Sequence, residues 1–143
     1  MHVAAGALTD SAGRVLIAQR AADAHMGGCW EFPGGKIASG ETPLQGLVRE
    51  LREELAITAR YARLVARYPH AYPDRIVYLY VWQVLDWEGE VRGVENQPLR
   101  WVPVETLHDA GLLPADALIV ERLQALATVA PGRNDPCISA LLT

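Results

Sequence analysis

The apolar positions of this chain fall into short strand-like runs, and the period changes to that of a helix over two stretches. Residues 2–8 (HVAAGAL) and 14–20 (RVLIAQR) read as strands joined by the turn Thr9-Asp10-Ser11-Ala12-Gly13. Two longer segments, 61–72 and 74–85, are rich in β-branched and aromatic residues and are separated at Pro73. In the second, Ile76, Tyr78, Tyr80 and Trp82 share one face, and Val77, Leu79, Val81 and Gln83 share the other. Residues 86–90 read as a turn, 99–104 as a further strand, and Glu105–Ala110 as a short helical turn.

The helical period appears first at about 43–55. Leu44, Leu47, Val48, Leu51 and Leu55 make one apolar stripe, and Thr42-Pro43-Leu44-Gln45 has the form of a capping box with proline in the first turn. A final helix is expected over Ala115–Ala127, with Pro114 near its start and Leu118, Ile119, Leu123 and Leu126 on its apolar side. Residues 129–143 read as an irregular tail behind a single domain covering 1–128. Strand and helix patterns mixed in this way predict an α/β (α+β) sandwich, α/β/α, around a mixed sheet.

The first helix also carries chemistry. Glu50, Glu53 and Glu54 stand at i, i+3 and i+4, so their carboxylates share a face about a third of the way round from the leucines. Like charges at that spacing repel and raise one another's pKa unless something positive intervenes. Mg²⁺ suits a few carboxylate oxygens plus waters and substrate phosphates, and Mn²⁺ is a possible substitute. The plain alternative is a solvated acidic face partnered by Arg49 and Arg52. The backbone carbonyl of Gly35 is a further candidate ligand, because glycine lets main chain approach an ion closely.

At 143 residues and half apolar, the chain is long enough for one core without staples. A net charge of −4 argues against a general nucleic-acid binder. Cys29 and Cys137 are too few and too far apart for a disulfide or zinc framework and read as reduced thiols of a cytoplasmic protein. No signal peptide or membrane-spanning run is apparent, and a monomer is expected.

Gly35, five residues, Glu41, seven residues, Arg49-Glu50-Leu51, one residue, Glu53-Glu54, one residue and Ile57 resembles the Nudix box at eight of its nine specified positions. Ala56 stands where the family has glycine, which bears on the helix end and not on the ligands. The similarity continues through RAADAHMGGCWEFPGGKIASGETP, YPDR at 72–75, WEGE at 87–90, Glu95-Asn96-Gln97-Pro98 and PADALIVERL. These segments are similar to the MutT-like branch of the family. That resemblance implies Mg²⁺-dependent attack at the β-phosphorus of 8-oxo-dGTP, giving the monophosphate and pyrophosphate and keeping the oxidised base out of DNA.

It also implies a metal set of Gly35, Glu50, Glu53, Glu54 and Glu95. Glu50, Glu53 and Glu95 remain open as the general base. Arg49 is expected mainly to orient carboxylates such as Glu41. Lys36 and Arg20 are placed near phosphates, and His25, Glu31, Phe32, Pro33, Gly34, Tyr72 and Arg75 around the nucleoside. Several of these, His25 and Phe32 above all, are equally ordinary packing residues.

Asp116 stands where MutT-like chains commonly have an asparagine that reads the oxidised base. It has three readings: protonated in a dry pocket, gripping the N1–H and N2–H₂ edge that ordinary dGTP also offers, or simply favouring a helix start. Alternatives to the leading function are hydrolysis of dGTP, CTP or ADP-ribose, and a non-catalytic nucleotide-binding module.

Overall fold

The structure, a computed structural model, describes residues 1–127 and the backbone of 138–140. Its strands are β1 (His2–Leu8), β2 (Arg14–Gln19), β3 (Trp30–Glu31), β4 (Gly34–Lys36), β5 (Thr58–Tyr72), β6 (Arg75–Glu88), β7 (Leu99–Pro103) and β8 (Ile138–Ala140). Its helices are α1 (Pro43–Leu55) and α2 (Ala117–Leu126). Five strands form one sheet in the order β4-β1-β6-β5-β8, and a smaller sheet runs β3-β2-β7. The large sheet is mixed, because β1 lies parallel to β6 and antiparallel to β4.

The period-two pattern of β6 decides where the core sits. Val77, Leu79 and Val81 face a cluster that includes Ile119, Val120 and Leu123 of α2. Trp82 and Val84 face the opposite cluster, with Leu47, Leu51 and Leu55 of α1. One sheet thus buries both faces under a helix, as the alternation requires. The three leucines of α1 are fully buried, each contributing about 2 kcal/mol relative to exposure. The helix can sit this low because β1 carries a glycine beneath it. A Cβ at Gly6 would come within 3.1 Å of Leu47 Cδ1 and 3.3 Å of Leu51 Cδ1.

Helix α1 begins as its sequence dictates. Gln45 N–H donates to Thr42 Oγ1 (3.1 Å), Thr42 N–H donates to Gln45 Oε1 (2.9 Å), and Pro43 opens the first turn.

Several boundaries differ from the sequence expectation. The second strand stops at Gln19. β5 starts at Thr58, and β6 runs on through Asp86-Trp87-Glu88 where a turn was expected. Thr58 and Ala59 pair with Glu88 and Trp87, and Trp87 stacks on Trp101 with ring centroids 6.2 Å apart. Long-range pairing therefore overrides local turn propensity there, and the chain reverses only at Gly89. β7 stops at Pro103, before a 3-10 turn over Val104–Asp109. A second 3-10 turn, Pro114–Asp116, precedes α2, so the regular helix starts at Ala117. Most of the tail, with Cys137 in it, lies outside the described residues. Ile138–Ala140 is not irregular: it pairs antiparallel with Tyr61–Arg63 of β5.

Helix α1 ends on Ala56 in the left-handed region, φ 59° and ψ 33°, its N–H donating to Arg52 O. That conformation costs a non-glycine residue about 1–2 kcal/mol, partly offset by alanine's smaller entropy loss on folding. We expect Ala56→Gly to stabilise the protein by about 0.5–1 kcal/mol. The check is urea unfolding, where the midpoint rises at unchanged slope; an unmoved or lower midpoint would show the turn is unstrained.

Candidate functional site

Two adjoining cavities meet at Arg20, Glu31 and Glu54. One, of about 410 Å³, is lined by His25, Phe32, Tyr72, Arg75 and Asp116 together with Gly34, Gly35 and Lys36. The other, of about 350 Å³, holds Pro33, Glu95, Asn96 and Gln97. Strand β4 and the 3-10 turn before α2 supply two walls of the first. The last turn of α1 and the loop after β6 supply the second.

The acidic groups are crowded. Glu54 accepts from Gly34 N–H at 3.2 Å. Burial, then the nearby charges of Glu50, Glu31 and Glu95, push its carboxyl up to about 8 against the Gly34 hydrogen bond. Glu50 lies under the glycine loop: a Cβ at Gly35 would fall 2.6 Å from its carboxylate carbon and 2.6 Å from Oε2. Only glycine leaves room for main chain and carboxylate to face each other there.

Arg49 binds Glu41 through two nitrogens (2.7 and 2.9 Å), and also reaches Glu50 (2.9 Å), Glu53 (3.2 Å) and Lys36 O (2.9 Å). The Arg49 contact, helped by Ala38 N–H, holds the Glu41 carboxyl below its usual range. Glu53 is 57% exposed and turns to the outer side of the helix toward Arg49.

Among the described residues no three acidic, histidine or cysteine side chains stand close enough to form a ready-made cation cage. The donor set nonetheless fits a hard divalent cation. It consists of carboxylate oxygens and one glycine backbone, and Glu54 is short of positive charge.

Arg20 donates from Nη1 to Glu31 Oε1 at 2.8 Å and from Nε to His25 O at 2.7 Å, which ties the loop after β2 to β3. Burial still leaves the Glu31 carboxyl above its usual range. His25 meets Tyr72 edge-on with centroids 5.6 Å apart, and Arg75 lies over Tyr72 at 5.5 Å. Phe32 is 4% exposed and belongs to the core as well as to the cavity wall.

Asp116 is 7% exposed and makes no capping hydrogen bond to α2. Its Oδ2 is buried without a hydrogen-bond partner. Burial, and then Glu31, push its carboxyl up to about 7, with Arg20 opposing. Asp116 stands at the N-cap position of α2, where the helix dipole and not a hydrogen bond would favour it. It presents an unpaired carboxyl oxygen at the wall of the larger cavity.

Sequence reasoning passed over Met26, Val77, Leu79 and Leu113, which line that cavity. The shared face of Val77 and Leu79 on β6 was readable, but nothing in the chain said that it continues into a cavity wall. Gln97 was quoted only as part of a motif. It donates from Nε2 to Glu54 O at 3.0 Å and accepts from Glu95 N–H at 2.9 Å.

Comparison with known proteins agrees with this layout. The NUDIX domain family model matches residues 4–122. The 8-oxo-dGTP diphosphatase of Escherichia coli (strain K12) is 40% identical over 126 residues, covering 88% of this chain and 98% of that one. The CTP pyrophosphohydrolase of the same organism is 39% identical over 126 residues, covering 88% and 93%. The solution structure of the E. coli ORF135 protein superposes with a TM-score of 0.80 at 38% identity, covering 92% of this chain and 93% of that one.

The buried Asp116 carboxyl makes a stability prediction. Its proton leaves near 3.8 when the chain is unfolded and near 7 when it is folded. The folded state therefore holds that proton more tightly. Stability from this group is complete below about pH 4 and is lost as pH rises toward and through 7. Asp116→Asn removes the titration and should stabilise the protein at pH 8 by on the order of 4 kcal/mol more than at pH 4. Urea unfolding at the two pH values tests this; equal shifts would mean that the carboxyl is not buried as described.

Proposed function

The chain belongs to the Nudix hydrolase family, and we propose that it hydrolyses 8-oxo-dGTP to 8-oxo-dGMP and pyrophosphate. The observation that carries this reading is the meeting of the two cavities at Arg20, Glu31 and Glu54. One has room for a base and sugar, and the other presents carboxylates where phosphates would lie. In this reading the catalytic domain spans 1–128 and acts as a monomer on the cytoplasmic nucleotide pool. Among the described residues no helix is long and apolar enough to cross a membrane.

Nudix hydrolases generally use divalent metals. Mg²⁺, with Mn²⁺ as a substitute, would be held by Glu50, Glu53, Glu54, Glu95 and the Gly35 carbonyl. When bound, such an ion neutralises charge on phosphoryl oxygens and acidifies a water. The chain's own groups supply the rest. Arg20 and Lys36 bind phosphate oxygens, and Tyr72, Phe32 and His25 hold the nucleoside. A carboxylate, Glu95 or Glu53, takes the proton of the attacking water. Arg49 keeps Glu50 and Glu53 aligned.

Asp116 reads the base through its protonation state. A neutral carboxyl offers one donor and one acceptor, matching O6 and N7–H of the oxidised guanine as an amide would. The same pair matches N3 and the N4 amino group of cytosine. Hydrolysis of CTP is therefore the second reading, and it is supported by the nearly equal identity to the CTP pyrophosphohydrolase. An ionised carboxylate only accepts, and so suits N1–H and N2–H₂ of ordinary dGTP.

A panel of 8-oxo-dGTP, dGTP, CTP and ADP-ribose with Mg²⁺, products identified by mass, tests the assignment. We expect 8-oxo-dGTP to give the highest kcat/KM; CTP ahead of it would install the second reading, and no turnover would leave a binding module. Above about pH 7, where Asp116 is ionised, Asp116→Asn should widen the 8-oxo-dGTP to dGTP ratio by about three- to tenfold, roughly one hydrogen bond. In the parent protein that ratio should fall as pH passes about 7. Gly35→Ala should keep its melting temperature, because the clash is with the end of a flexible side chain. It should lose about tenfold to a hundredfold in kcat as Glu50 is displaced.

A further inference from the structure

Glu95 lies 41 positions beyond Glu54 in an exposed loop, yet both line the same cavity. Helix α1 ends at Leu55 and leaves its last carbonyls without intrahelical partners. The loop after β6 supplies those partners. Arg92 N–H donates to Leu55 O (3.1 Å), and Val94 N–H donates to Glu54 O (3.1 Å). The turn then tightens through Asn96 N–H to Gly93 O (3.0 Å), with Asn96 at φ 60°.

Gln97 closes the arrangement with both ends of one amide. Its Nε2–H reaches the Glu54 carbonyl at 3.0 Å, and its Oε1 receives the Glu95 N–H at 2.9 Å. A carbonyl needs a donor and an N–H needs an acceptor, about one residue length apart. Among side chains of this shape only an uncharged amide offers both. Glutamate would set an acceptor against the Glu54 carbonyl, and methionine would satisfy neither.

We propose that Gln97 is a positioning residue, a clamp that fixes Glu95 relative to the end of α1 and so to Glu54. The proposal rests on the reading of Glu95 as a group at the reaction centre. The loop's other bonds to the helix come from Arg92 and Val94, ahead of the turn. Among the described residues, the Glu95 backbone is tied to that helix through the Gln97 amide. In the proposal Gln97 acts through Glu95, whose N–H it holds.

The test is a double-mutant cycle of Gln97→Met with Glu95→Gln, read with steady-state kinetics and with amide hydrogen exchange on the metal-free protein. In Gln97→Met the Glu95 amide should exchange at least about tenfold faster. Its kcat should fall about tenfold to a hundredfold, with nucleotide KM within about twofold. In the Glu95→Gln background the same substitution should cost nothing further. Gln97→Glu, which keeps the shape, should reproduce the kcat-only loss and stands in if the methionine variant folds poorly.

Multiplying losses in the cycle would overturn the proposal, as would a raised KM at unchanged kcat or an unaltered Glu95 amide. Full activity in Glu95→Gln would instead remove the reading of Glu95, and the role of Gln97 with it. Failure of that reading is thus told apart from failure of the clamp.

Discussion

Mutual repulsion of carboxylates in a half-dry cleft is the constraint on which the rest of the structure depends. Glu54 is half-buried, hydrogen-bonded to the Gly34 N–H, and within electrostatic reach of Glu50, Glu31 and Glu95. Left to themselves such groups would splay into water or take up protons. They do neither completely, because they hang from three separate supports. Glu54 and Glu50 are on α1, Glu31 is on β3, and Glu95 is on a loop bonded to the helix end. The fold therefore stores an unfavourable arrangement that a bound cation would relieve.

Storing it requires that α1 not shift. The capping box fixes one end, and the leucine stripe seats the body on β1 where Gly6 gives it depth. The other end is held by the left-handed Ala56 and by the bonds from Arg92, Val94 and Gln97. Arg49 then spreads its positive charge over Glu41, Glu50 and Glu53 on the outer side. Exposed pairs of this kind add little stability. Their effect is orientation: they hold Glu50 and Glu53 where the leucine packing alone would leave them free to rotate.

Much of this was legible in the chain, and the reason is physical. Helix α1, its cap and its buried stripe follow from local periodicity and from hydrogen bonds between residues three apart. The two faces of β6 follow from the pleat. What could not be read depends on partners distant in sequence. β3 and β4 are too short to have a period, and they exist because β2 and β1 pair with them. β6 outruns its expected turn because Thr58 and Ala59 hold it. The acidic residues of α1 were legible as a set, but their orientations were not. Glu53 faces Arg49 outside, whereas Glu54 faces the cleft, a difference of one residue on the same helix. The location of Glu95 depends on hydrogen bonds to the end of α1, and no pattern in residues 92–97 names those acceptors.

The same reasoning bears on Asp116, which stands both at the start of α2 and on the cavity wall. A scaffold aspartate ahead of a helix would cap it, yet Asp116 makes no such bond and leaves one oxygen buried without a partner. Burying an unpaired polar atom costs about 1–3 kcal/mol, and no packing gain visible around it offsets that cost. Leu113 and Ala115 beside it line the same cavity, as do Val77 and Leu79 across from it. A buried acid with one oxygen unpaired is a stability defect with a free hydrogen-bonding edge. In the proposed function, that edge is the one that would discriminate between bases. Two carboxyls held above their usual range, Glu54 and Asp116, thus line one cavity beside a sheet that buries both its faces.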